Sequence, residues 1–119
     1  MKSSCITYHL KNKGGCVKVK IITVCGSYKF KKEMLEITEK MALKGNCMIT
    51  PIDLTKKDKD AYTEDEILML GKMHKEKIKL SDAILVVNVN GYIGNSTNSE
   101  IEYAKSLNKE IIYYTDLVE

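Results

Sequence analysis

The feature that most limits the possible folds of this chain is an uninterrupted apolar run, AILVV, at residues 83–87. A strand with one face in water alternates apolar and polar residues, whereas a continuously apolar strand is typical of one covered on both faces. Such strands occur mostly in parallel sheets with helices packed on each side. The run therefore predicts an α/β fold.

Segments with strand and helix periodicity alternate along the rest of the chain. We predict three further strands, in VKVKIITV, CMITPI and KEIIYYT, and three helices over 30–44, 63–80 and 98–108. Thr63 and Glu66 form a capping box at the start of the second helix. Right-handed crossovers between these elements make a small open parallel sheet of four strands, in the order 2-1-3-4, with helices on both faces.

The length of 119 residues suits one domain, which we place at 18–119. Residues 1–17 are polar and carry lysines, and we expect them to be a mobile or loosely attached lead. Hydrophobic residues make up 44% and charged residues 29%, an ordinary globular composition. A net charge of +3 argues against a dedicated binder of nucleic-acid polymers but permits a local anion site.

The chain has neither a membrane-spanning run nor the apolar core of a secretion signal. Its four cysteines form no C-x-x-C pair, so we expect reduced thiols in a cytoplasmic protein. The two histidines, His9 and His74, neighbour no cysteine pair, and the sequence therefore predicts no zinc site.

Two loops stand out because they follow the first and third predicted strands. In a sheet of order 2-1-3-4 those strands are neighbours, and ligands bind at their carboxyl ends. The first loop, CGSYKF, offers Gly26 for a tight turn, backbone amides for an anion, and Lys29 for charge. The second, NGYIGNSTNSE, carries Tyr92, which can cover a ring or a sugar, and two glycines. We expect the two loops to meet.

Glu100 admits two interpretations. Thr97 and Glu100 have the T-x-x-E spacing of a capping box, and the carboxylate could serve only to tie back onto the start of the third helix. Alternatively, a carboxylate at the ligand crevice, kept ionised by a helix N-terminus, has the properties of a nucleophile or an electrostatic stabiliser.

The segments CGS, KIKLSDAILVVN, GYIGNST and SEIEYAKSLNKEIIYY resemble the nucleoside 2-deoxyribosyltransferase-like family, including its nucleotide N-glycosidase branch. The resemblance covers about residues 18–115. It implies a flavodoxin-like or Rossmann-like sheet and cleavage of the N-glycosidic bond of a nucleoside or a nucleoside 5'-monophosphate without a cofactor. It also implies that Glu100, in the E-x-x-x-A pattern of SEIEYA, attacks the anomeric carbon.

The same resemblance assigns the remaining site residues. Gly26, Ser27 and Lys29 would hold a 5'-phosphate, with Ser96 or Thr97 closing the other side, and Tyr28, Tyr92 and Gly94 complete the substrate-binding set. Two positions depart from the family. Thr23 stands where a tyrosine often assists the nucleophile, and His74 falls where an aspartate commonly donates a proton to the leaving base. His74 could take over that task or be a packed core histidine.

These departures keep two other functions open: a nucleotide-binding or sensing domain without catalysis, and a phosphoribohydrolase acting on a modified base. The expected partner is a small nucleoside or nucleotide. We also expect a homo-oligomer, since a small domain leaves a shallow crevice that a second subunit can complete. Apolar residues of the second helix, Met69, Met73 and Leu80, could supply the interface, although we expect them in the core.

Overall fold

The computed structural model of the chain describes residues 6–10, 15–56 and 58–118. These residues form a two-stranded antiparallel sheet and a four-stranded parallel sheet. The strands are β1 (Ile6–Leu10), β2 (Gly15–Val19), β3 (Ile21–Gly26), β4 (Cys47–Ile49), β5 (Ala83–Val87) and β6 (Glu110–Tyr113). The helices are α1 (Lys31–Leu43), α2 (Glu64–Leu80), α3 (Asn95–Ser106) and the short α4 (Tyr114–Leu117). Within this described part, no helix combines the length and apolarity needed to cross a bilayer.

The parallel sheet has the strand order β4-β3-β5-β6. Apart from the added antiparallel pair, this is the predicted order 2-1-3-4, and the α/β prediction is confirmed. Every residue of β5, the strand of the apolar run, is buried. The strand lies between β3 and β6 with helices on both faces, which is why it has no polar side chain.

Side chains of the sheet alternate between two hydrophobic clusters, one on each face. On one face, Ile22 and Val24 of β3 pack with Met34 and Ile37 of α1. On the other, Cys25 packs with apolar residues of β5, α2 and α3, namely Ile84, Val86, Ile78, Ile101 and Ala104. The helices on both faces are therefore held by apolar burial, which stabilises by about 25 cal/mol for each Å² removed from water.

The predicted first strand, VKVKIITV, is wrong as one element. Lys20 separates β2, which pairs with β1 in a hairpin, from β3, which belongs to the parallel sheet. The change in pattern explains the division: Lys18 is exposed beside the buried Val19, as in a two-sided hairpin strand, whereas β3 is buried from Ile21 to Cys25. The hairpin includes part of the predicted polar lead, and whether the lead is mobile stays a prediction.

The capping box at α2 is confirmed, since Thr63 accepts from the Glu66 amide and Glu66 accepts from the Thr63 amide. The expectation that the apolar residues of α2 belong to the core is wrong for three of them. Met69, Met73 and Leu80 are 54%, 43% and 58% exposed. They lie away from the sheet because His74 and Ile78, one helical turn apart, occupy the buried face.

Candidate functional site

Three side chains from separate elements meet beside the carboxyl end of β3. The Cys25 Sγ lies 3.4 Å from the His74 Nε2, and this nitrogen lies 3.8 Å from the Glu100 Oε1. The three groups have ligating atoms that all lie within 4.8 Å of one another. The structure therefore brings together both predicted catalytic residues, Glu100 and His74, and adds a thiol.

Each of the three positions follows from local periodicity. Residues two apart in a strand share a face, so Thr23 and Cys25 point away from α1 and toward α2 and α3. On α2, His74 is one turn before Ile78 and lies on the same buried stripe. On α3, Glu100 is one turn before Ala104, which is fully buried. The sheet face and two helix stripes thus converge on one point.

Burial shifts the pKa of all three groups toward their uncharged forms. It raises the pKa of the Cys25 thiol well above its ordinary value, and the nearby Glu100 carboxylate raises it further. It lowers the pKa of His74 to about 4, with a smaller contribution from Lys77. It also raises the pKa of Glu100, against the opposing effects of Cys25 and Lys75. At neutral pH the thiol is protonated and the imidazole is neutral, so only Glu100 can supply charge here.

The neutral imidazole changes what His74 can do. A group that donates a proton to a leaving base must be protonated at the working pH, and a pKa of about 4 leaves few imidazolium ions at neutral pH. The 3.8 Å contact with Glu100 is for the same reason not a salt bridge at neutral pH. The side chain is 11% exposed and faces Cys25 and Glu100, which suits a residue that positions the carboxylate.

The first predicted loop forms a single 3-10 turn, Tyr28–Phe30, between β3 and α1. Ser27 caps this turn, although its Oγ is 3.4 Å from the Lys29 amide, a long hydrogen bond. Gly26 pairs closely with Val87 of β5, and a Cβ at this position would be in tight contact, 3.2 Å from the Val87 carbonyl oxygen. The Tyr28 hydroxyl donates to the carbonyl of Ile52, in the segment that follows β4.

The predicted meeting of the two loops is confirmed. The Lys29 ammonium lies 3.5 Å from the centre of the Tyr92 ring, within cation–π range. The rings of Phe30 and Tyr92 are also in edge contact, with centroids 5.8 Å apart. Gly94 accommodates this tyrosine, since a Cβ at Gly94 would lie 3.3 Å from the Tyr92 hydroxyl. Tyr28 and Tyr92 are 43% and 47% exposed and accessible to a ligand.

The alternative interpretation of Glu100 as half of a capping box is wrong. Helix α3 begins at Asn95 with Gly94 as its N-cap, and the Asn98 amide already donates to the Gly94 carbonyl. Thr97 is therefore inside the first turn and 5% exposed, while Glu100 is in the second turn. Because Glu100 lies beyond the first turn, the prediction that the helix N-terminus keeps its carboxylate ionised is also wrong. Ser96, by contrast, is exposed in the first turn.

Thr23, which the sequence resemblance aligns with a tyrosine that assists the nucleophile, is fully buried. Its Oγ1 lies 2.5 Å from the Ser81 Oγ and donates to the Lys77 carbonyl at 3.1 Å. It thus attaches β3 to the last turn of α2 and does not reach Glu100 through a hydrogen bond among the described residues.

Two surface cavities lie elsewhere. One of about 550 Å³ is lined by residues before and at the start of α2, and one of about 170 Å³ lies between α1 and the segment after β4, beside Tyr28. Glu100 lines neither of these two cavities. The side chain of Glu100 is 14% exposed.

Sequence reasoning missed Cys25, which was treated only as one of four reduced thiols. The signal available was its place in β3: it precedes Gly26 directly and shares a face with Thr23. Because strand side chains alternate between the two faces of a sheet, this position predicts that Cys25 faces the helix that carries Glu100.

Comparison with known protein families gives no match, and no curated protein matches the chain. Among solved structures, the chain is similar to a 2-deoxyribosyltransferase from Leishmania mexicana, with a TM-score of 0.58 at 18% identity. The alignment covers 80% of this chain and 63% of that one. The chain therefore spans less than two thirds of the length of this neighbour, and the likeness shows a distant relationship of fold.

Proposed function

We propose that this protein cleaves the N-glycosidic bond of a nucleoside or a nucleoside 5'-monophosphate, with Glu100 as the nucleophile. The observation that carries the proposal is the position of the Glu100 carboxylate, within 4.8 Å of the Cys25 sulfur and therefore beside the turn at Gly26. That turn follows β3 at the carboxyl ends of the neighbouring strands β3 and β5, where the strand order of the sheet reverses and where ligands bind in open α/β sheets. A fold shared with a 2-deoxyribosyltransferase supports the same chemistry.

The proposed reaction has two steps. The carboxylate of Glu100 attacks the anomeric carbon, the bond to the base breaks with its electron pair, and a glycosyl ester forms on Glu100. Water or a second base then displaces the carboxylate and releases the sugar product. Burial of Glu100 serves this chemistry, because a partly desolvated carboxylate interacts strongly with the positive charge that develops on the sugar.

His74 has a positioning role in this proposal. Its Nε2 lies 3.4 Å from the Cys25 sulfur and 3.8 Å from the Glu100 oxygen, so it limits the orientations that the carboxylate can adopt. The leaving base takes its proton from water or another group, since His74 is neutral at the working pH. Lys29, with the amides of the turn, would bind a 5'-phosphate, and the ring of Tyr92 would lie against the sugar or base.

The test compares Glu100→Gln with wild type on a panel of nucleosides and nucleoside 5'-monophosphates, with release of free base measured by chromatography. We expect the substitution to lower base release by at least ~1000-fold, as removal of a nucleophile does. Glu102→Gln is the matched control, because Glu102 is on the same helix, is 67% exposed and pairs only loosely with Lys105 at 3.9 Å. Base release by Glu100→Gln within about tenfold of wild type would refute the proposal.

A second candidate is a nucleotide-binding domain without catalysis. It is favoured by Thr23, which is buried in a structural contact at the position of the family's assisting tyrosine. In that case nucleotides raise the melting temperature of the protein, and no free base appears from any member of the panel. Release of a modified base in preference to ordinary ones would instead identify a phosphoribohydrolase.

A further inference from the structure

The Cys25, His74 and Glu100 cluster has the composition of a metal site. It offers a thiol sulfur, an imidazole nitrogen and a carboxylate oxygen from β3, α2 and α3, with all three atoms within 4.8 Å of one another. Zinc binds these three ligand types, whereas Mg²⁺ and Ca²⁺ prefer oxygen ligands alone. Residues 25, 74 and 100 are too far apart in the chain for any sequence pattern to reveal such a site.

The separations between the donor atoms suit a tetrahedral ion. With ordinary zinc bond lengths, neighbouring ligand atoms around a tetrahedral centre are about 3.3 to 3.6 Å apart. The sulfur-to-nitrogen distance is 3.4 Å and the nitrogen-to-oxygen distance is 3.8 Å. The sulfur and the carboxylate oxygen lie within 4.8 Å of each other, so side-chain adjustments of Cys25 and Glu100 would bring the donors together around an ion.

Burial and charge define what kind of site this would be. Cys25 is fully buried, while the Glu100 side chain is 14% exposed, so an ion would enter from the Glu100 side and could keep a water as its fourth ligand. Positive charge at Lys75 and Lys77 acts on the cluster and opposes a cation. These lysines weaken binding, and an ion held here would exchange readily.

We propose that Cys25, His74 and Glu100 bind Zn²⁺ reversibly, and that the bound ion inhibits the enzyme by occupying the Glu100 carboxylate. On binding, the thiol releases its proton to solvent and the sulfur, the Nε2 nitrogen and a carboxylate oxygen each donate an electron pair to the ion. The inhibition rests on the proposed function, whereas metal binding does not.

Cobalt(II) is the probe, since it enters zinc sites and shows thiolate-to-metal absorption in the near ultraviolet. Reduced, chelator-treated protein is titrated with Co²⁺ and then with Zn²⁺. We expect a thiolate band that saturates at one ion per chain and is removed by Zn²⁺. Cys25→Ser should abolish the band, and His74→Gln should weaken Co²⁺ binding by at least ~10-fold.

The control variant replaces the other three cysteines together, Cys5→Ser, Cys16→Ser and Cys47→Ser, and should keep the band. A band that is absent from wild type, or that survives in Cys25→Ser, would overturn the metal site. The second readout is the ratio of base release with and without Zn²⁺, measured in wild type and Cys25→Ser. Inhibition that is equal in both overturns the inhibitory role. A protein that binds Co²⁺ through Cys25 yet releases no base loses the proposed function and keeps the metal site.

Discussion

The His74 Nε2 and the Glu100 Oε1 lie 3.8 Å apart without forming an ion pair at neutral pH. Burial lowers the pKa of His74 to about 4 and raises the pKa of Glu100, so the same surroundings disfavour the charge on each group. In an exposed pair at this distance, the attraction between opposite charges would instead raise the pKa of the histidine and lower the pKa of the glutamate. Two measurable consequences follow, both for the dependence of stability on pH.

The stability of the metal-free protein should depend on pH through His74. Its pKa is about 4 in the folded state against an ordinary 6.5, so the unfolded chain binds the extra proton first as the pH falls. The contribution to stability is present above pH 6.5 and is lost between pH 6.5 and 4, by up to about 3 kcal/mol. Urea unfolding in the presence of a chelator measures it.

Glu100 should offset part of the change in stability with pH that His74 causes. Because its pKa is raised in the folded state, its contribution falls as the pH rises above the unfolded value of 4.5, which is the opposite sign. The pH slope should therefore be steeper in Glu100→Gln than in wild type, and the further substitution His74→Gln should remove that steeper part. Equal slopes in wild type and Glu100→Gln would show that the pKa of Glu100 is not raised. The other charged groups that act on the pair are Lys75, on Glu100, and Lys77, on His74.

Thr23→Val should lower stability without acting on the chemistry. The substitution removes the hydroxyl that bonds Ser81 and the Lys77 carbonyl in a fully buried place, at a cost of about 1 to 2 kcal/mol. Thr38→Val is the matched control, because the Thr38 hydroxyl is buried and has no hydrogen-bond partner among the described residues. We expect Thr38→Val to be neutral or stabilising in urea unfolding. Equal losses in both variants would contradict the structural role of Thr23.

Gly26→Ala should destabilise the protein more than Gly94→Ala. A Cβ at Gly26 would lie 3.2 Å from the Val87 carbonyl oxygen, which the pairing of β3 with β5 prevents from moving. A Cβ at Gly94 would meet the Tyr92 hydroxyl at 3.3 Å, and that flexible, exposed side chain can shift. We expect a loss of about 1 to 3 kcal/mol at Gly26 and under about 1 at Gly94, measured by urea unfolding. A larger loss of stability in Gly94→Ala than in Gly26→Ala would contradict the close approach of Gly26 to Val87.

Lys29→Met should separate nucleotides from nucleosides. If Lys29 leaves the Tyr92 ring to bind a 5'-phosphate, losing its charge should raise the KM for nucleoside monophosphates by about tenfold or more and leave the KM for nucleosides nearly unchanged. Lys32→Met, at an exposed position of α1, is the control for loss of charge alone. A uniform change for both substrate classes would assign Lys29 to holding Tyr92 and not to the phosphate.

The exposed apolar face of α2 should mediate self-association. Met69 and Leu80, about three turns apart on one side of the helix, are 54% and 58% exposed. We expect light scattering to show a homo-oligomer, and Met69→Lys to shift it toward the monomer. Leu43→Lys on α1 is the control, since Leu43 is 83% exposed on the other side of the sheet. A monomeric wild type would contradict this prediction.

Much of the architecture was predictable because it depends on local patterns. The apolar run of β5 indicated burial on both faces, and the spacing of Thr63 and Glu66 placed the start of α2 within one residue. These signals are short-range: a strand or helix turn needs only a few neighbouring residues to show which side is apolar. The glycine loops predicted where the carboxyl ends of β3 and β5 would meet.

Tertiary structure alone decided the chemistry of the cluster. An identical T-x-x-E spacing caps α2 at Thr63 and fails at Thr97, because Gly94 starts α3 one turn earlier and Thr97 is drawn into the core. His74 and Cys25 acquired their roles from burial against Glu100, which shifts every pKa in the group. A charge state set by desolvation depends on atoms from three distant elements, and no run of neighbouring residues encodes it.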